Sequence, residues 1–168
     1  MRLAALVILL LAQFVFGRIA FAQQEGSNSA TAYCDFEDGQ EVSIRYSTAP
    51  ATGKDETHNG KVWLPGGVPI TLFTAAPLTL NNSPIPAGAY TVYVIPNKKD
   101  WTLIVNKNVT PGAPYDEKQD IARAPMELGE VDSTPRQLEA SFAHTSPKVC
   151  SIRLYYGKTG AFAEFNEK

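Results

Sequence analysis

Apolar residues in this chain return at every second position, and that period dictates strands. Val42, Ile44 and Tyr46 alternate with Glu41, Ser43 and Arg45, the pattern of a strand with one face buried. Ile70, Leu72 and Thr74 alternate with Thr71 and Phe73, and Leu78 and Leu80 form a shorter piece after Pro77. A helix would repeat near 3.6 residues. No stretch sustains that repeat, and Asp116 to Asp120 has room for a single turn at most.

Two runs are densest in β-branched and aromatic residues, Tyr90 to Ile95 and Trp101 to Val105. Pro96-Asn97-Lys98-Lys99-Asp100 between them is turn-forming, so the pair reads as a hairpin. Its apolar residues occupy both faces, which predicts a central hairpin covered on both sides. Later strands are expected over Ile121 to Leu128, Gln137 to Ala143, Cys150 to Tyr156 and Ala161 to Phe165. In the third of these, Cys150, Ile152, Leu154 and Tyr156 share one face, which is predicted to point inward. The twelve prolines and twelve glycines fall mostly between the runs, as turn residues should. About nine or ten short strands predict an all-β fold, an antiparallel β-sandwich or squat barrel. With 168 residues, one domain is expected.

The N-terminus reads as an export signal. Met1-Arg2 supplies a positive start, Leu3 to Phe16 is apolar except for Gln13, and Ala20-Phe21-Ala22 places small residues where a signal peptidase reads. The run is shorter than the ~20 apolar residues of a span, and Arg18 follows it. The expected division is residues 1–22 as signal, 23–30 as a polar leader and 31–168 as a single β domain. No membrane span is expected after cleavage, and the mature protein is expected in the periplasm or beyond. Cys34 and Cys150 would then meet an oxidising compartment. A disulfide between the first strand and a late one is favoured over two buried thiols.

Charge and motifs exclude several classes. Fifteen basic residues against seventeen acidic ones give a formal charge of -2, no footprint for nucleic acid. There is no nucleophile elbow and no glycine-rich phosphate loop. Metal sites announce themselves by paired His or Cys, whereas His58 and His144 stand alone. No metal, cofactor or catalytic residue is therefore assigned. Aromatic residues make the better case. Trp63 lies among glycines and a proline, and loop aromatics can grip a ligand. Trp63, with Lys61, Asn59, Tyr115 and His58 as polar companions, is the candidate ligand site.

Gly60-Lys61-Val62-Trp63, Pro86-Ala87-Gly88-Ala89-Tyr90 and Trp101-Thr102-Leu103-Ile104-Val105-Asn106-Lys107 occur in order, followed by Tyr115-Asp116 and Arg123. This set resembles a bacterial family known as domain of unknown function 2911, from about Val42 to Phe165. The resemblance implies export and a β-rich fold and assigns no activity. Many members carry an Arg and a Thr-Gly-Ala-Asn segment after the first Trp; here Leu64-Pro65-Gly66-Gly67-Val68 follows Trp63. The Pro86 to Tyr90 stretch has a structural reading as a tight turn with Gly88 at positive φ. The expected function is a non-catalytic module that binds an unidentified ligand or protein of the cell envelope. Two alternatives stand beside it. One is an envelope hydrolase with acid/base residues from the loops around His58 or Asp116. The other is a structural subunit that pairs through an edge strand.

Overall fold

The computed structural model describes residues 28–50, 59–132 and 135–168. The strands are β1 Ser29–Asp35, β2 Glu41–Ser47, β3 Ile70–Thr74, β4 Leu78–Leu80, β5 Ser83–Ile85, β6 Gly88–Pro96, β7 Trp101–Asn106, β8 Asp120–Glu130, β9 Glu139–Ser146, β10 Val149–Tyr156 and β11 Thr159–Glu167. Nine of them follow one hydrogen-bonded path, β1-β2-β3-β6-β7-β8-β11-β10-β9. Every ladder on it is antiparallel. The path curls into a nearly closed barrel, the squat form of the expected all-β fold, with β1 lying alongside β9. Nine is odd, so the first and last strands run the same way and no antiparallel ladder can join them. That seam is bridged otherwise. The Cys34–Cys150 disulfide joins β1 to β10, the Tyr46 hydroxyl donates to the Ala140 carbonyl (3.2 Å), and the Glu37 N–H donates to the Pro147 carbonyl (3.1 Å).

Strand alternation converts directly into inside and outside. Val42, Ile44, Leu72, Val92, Val94, Leu103, Val105, Ile152 and Leu154 are all buried in one core cluster. Their sequence neighbours Glu41, Arg45 and Phe73 face outward. The β6–β7 hairpin is central and covered on both faces as expected. Val94 and Leu103 fill the interior, whereas Tyr93 and Ile104 are buried on the outer side.

Two elements differ from the sequence reading. Strand β1 begins at Ser29, inside the stretch read as a polar leader, because Ser29 and Ala30 pair with Ser47 and Tyr46. Backbone pairing of that kind needs no apolar side chain. Strand β5 has Pro84 at its centre and pairs only with β4, a position where a missing N–H costs no ladder bond. The β4–β5 hairpin turns on Asn81 and Asn82, both at positive φ, as a two-residue hairpin requires. Its β4 then pairs with the end of β11.

The predicted turn before β6 is present. Gly88 has φ of 153°, and the Tyr90 hydroxyl donates to the Pro86 carbonyl at 2.8 Å. The single helical turn expected near Asp116 is a 3-10 turn, Glu117–Gln119, capped by the Asp116 side chain.

Candidate functional site

The described residues among those chosen from sequence, Trp63, Lys61, Asn59 and Tyr115, do not share one site. Trp63 is buried, 3% exposed, and is no surface recognition residue. Its N–H donates to the Val94 carbonyl at 2.8 Å and Gly60 donates to Pro96 at 2.7 Å. Strand β3 begins opposite Val92 and runs toward Gly88, so the earlier Gly60–Trp63 segment lies along the edge of β6 beyond it. The Trp63 ring thereby enters the core, packing 5.5 Å from Trp101 and 4.8 Å from Tyr156 between centroids. Flanking glycine and proline thus mark an irregular strand extension, not a binding loop. Lys61 and Asn59 are exposed on the same segment. Asn59 accepts from the Lys98 N–H at 2.8 Å, which ties it to the β6–β7 turn. His58 lies outside the described residues. His144 is exposed on strand β9.

Tyr115 sits on the other face of the β6–β7 sheet, its ring 4.9 Å from Tyr93 and edge-on to it. Its hydroxyl donates to Asp120 Oδ2 at 2.7 Å and accepts from Arg123 Nη2 at 2.6 Å. Arg123 also donates to the same Asp120 oxygen through Nε and Nη2, at 2.9 and 2.6 Å. Burial first, then the hydrogen bond to Asp120 and its charge, pushes the Tyr115 phenol up to about 12. Burial and Asp120 raise Tyr93 in the same sense. The bond to Asp120 lifts Arg123 above its ordinary value. Such a closed set of charge-assisted bonds fixes geometry.

What it fixes is the loop between β7 and β8. Buried Asn106 donates through Nδ2 to the Asp116 carbonyl (2.9 Å) and to Asp120 Oδ1 (2.7 Å), and its Oδ1 accepts from the Asn108 N–H (2.9 Å). The Thr91 hydroxyl donates to the Asn108 carbonyl at 2.7 Å. Asp116 accepts from the Lys118 N–H and Gln119 Nε2, and Glu117 pairs with Arg123 at 3.0 Å. The carboxylates of Asp116, Glu117 and Asp120 are therefore engaged in holding this loop.

The pinned loop lines an open groove of about 570 Å³ on the outer face of the sheet. Its floor is one cross-strand row, Arg45 of β2 opposite Thr71 of β3 opposite Thr91 of β6. Val109 and Pro111 come from the β7–β8 loop, and Val68 and Pro69 from the stretch before β3. Val68 and Val109 are each 50% exposed. Gly66 lets the second loop approach. It has φ of +67°, and a Cβ there would lie 2.8 Å from Ser47 Cβ. The size and the mix of apolar walls with a few polar groups match small-ligand sites. Sequence reasoning missed Arg45, Thr71, Val68 and Val109, because strand register and loop docking bring them together. The outward place of Arg45 in the β2 alternation was the one signal available.

The sequence profile of a family described as Protein of unknown function (DUF2911) matches residues 27–165, spanning every strand from β1 to β10 and most of β11. The chain belongs to that family. No curated protein matches it. No solved structure matches it either. Membership in the DUF2911 family thus accords with the β-rich fold and supplies no activity.

Proposed function

We propose that this DUF2911 domain is a non-catalytic binding module of the cell envelope that holds a partly apolar ligand in the outer groove. The groove itself carries this reading: two loops present half-exposed valines over a polar floor, where water contact is unfavourable and a ligand would relieve it. The disulfide and the N-terminal pattern support an exported location. The hydrolase reading drew on His58 and Asp116. His58 lies outside the described residues, and Asp116 serves as a cap.

The test is a fluorescence titration of the purified protein with Nile red, a neutral apolar dye. Saturable binding is expected, and Val68→Asp and Val109→Asp each weaken it at least tenfold without moving the unfolding midpoint. Equal dye affinity in the wild type and both variants would remove the groove as the binding site.

A further inference from the structure

Arg45 is the one charged side chain among the fifteen described residues that line the groove. Both ion pairs among the described residues belong to Arg123. Arg45 makes no side-chain hydrogen bond or ion pair among the described residues. Directly opposite it in the ladder stands Thr71. Cross-strand partners of this kind hold their Cβ atoms about 5 Å apart, so the two side chains leave the same face of the sheet from neighbouring points. Among the described residues, none that lines the groove carries a carboxylate to neutralise the cation. The floor thus carries one positive charge beside Thr71 and Thr91, and Val68, Pro69, Val109 and Pro111 form apolar walls.

We propose that the ligand is an aliphatic monocarboxylate, its head on Arg45 and its chain against Val68 and Val109. This rests on the groove being the binding site. Charge complementarity selects an anion. A single guanidinium presents a planar fork that matches one carboxylate with two parallel bonds. A phosphate dianion would keep half its charge uncompensated here, since no second cation lines the groove among the described residues. The Thr71 hydroxyl can donate to the same carboxylate. An uncharged apolar ligand would leave the guanidinium facing the ligand without a partner, a cost that the carboxylate avoids.

The deciding experiment displaces Nile red with octanoate, decanoate, 1-octanol and 1-decanol, below their aggregation limits. Decanoate is expected to bind more tightly than 1-decanol. Octanoate is expected to bind up to about fifteenfold more weakly than decanoate, the value for two fully buried methylenes. Arg45→Gln is expected to weaken decanoate at least tenfold and leave 1-decanol unchanged. Arg45→Lys, which keeps the charge and loses the fork, should fall between, and it replaces Arg45→Gln if that variant fails to fold. Equal displacement by acid and alcohol, or decanoate binding unaffected by either Arg45 variant, overturns the carboxylate assignment and leaves the groove standing. Absence of saturable Nile red binding removes the groove reading and this assignment together.

Discussion

Cys34 in β1 and Cys150 in β10 are joined through the barrel interior, with Cα atoms 6.2 Å apart. Both are buried, and the bond spans the seam where β1 and β9 lie side by side without a ladder. The barrel thus uses a covalent bond near the place where its antiparallel hydrogen-bond pattern does not close. The two cysteines are 116 residues apart, so the bond removes much freedom from the unfolded chain, about 5 kcal/mol in the chain-entropy model. The Cys34→Ser, Cys150→Ser double variant should lose about 2–5 kcal/mol. Urea unfolding with and without reductant measures this, and reductant should affect the wild type alone. An unchanged midpoint would mean that Tyr46, Glu37 and core packing hold the seam unaided.

Tyr115 gives the fold an alkaline limit. Its phenol is raised from about 10 to about 12 in the folded state, chiefly by burial and then by Asp120. A raised acid keeps its proton in the folded chain after the unfolded chain has lost it. Stability from this group is therefore complete below pH 10 and is lost as the pH climbs toward 12. Tyr115→Phe should cost about 1–2 kcal/mol at pH 7 by removing the hydroxyl's bonds to Asp120 and from Arg123, while the direct Arg123–Asp120 pair stays. It should also flatten the fall in unfolding midpoint between pH 10 and 12 relative to the wild type. Parallel alkaline curves for the two proteins would show that Tyr115 does not set the limit.

Gly66 tests the groove from its backbone. Gly66→Ala combines a positive φ with a Cβ pressed against Ser47. The backbone strain alone is about 1–3 kcal/mol, and the loop must lift away from β2. Lower stability is expected together with weaker Nile red binding. Gly39→Ala is the control: it shares a positive φ, its Cβ meets nothing within 4 Å, and it does not line the groove. Full-strength dye binding in Gly66→Ala would show that the loop position is immaterial to the groove.

Trp63 separates core from site. Trp63→Ala leaves a cavity beside Trp101 and Tyr156 and should cost about 3–5 kcal/mol. Dye affinity in the folded fraction should be unchanged, because the ring faces the interior and the groove lies outside. Loss of dye binding at full stability would return Trp63 to the surface role that its loop position first predicted.

How much could be read in advance follows from which interactions are local. Val42, Ile44, Cys150, Ile152 and Leu154 revealed their inward faces through alternation alone, since a strand's period is a property of its own backbone. The two covered faces of the β6–β7 hairpin were legible for the same reason. Trp63 misled because its glycine and proline neighbours describe backbone shape and say nothing of what lies across from it. Only its pairing with Val94 sends the ring inward.

The sequence by itself determined most of the strands, their buried faces and an inward Cys150. The tertiary structure decided the rest: an odd number of strands on the barrel path that leaves a seam, a loop latched by Tyr115, Asp120 and Arg123, and Arg45 set on a groove floor between valines from two separate loops. Those arrangements depend on register and on contacts between segments far apart in the chain. A period along one strand cannot encode which residue another strand will place beside it.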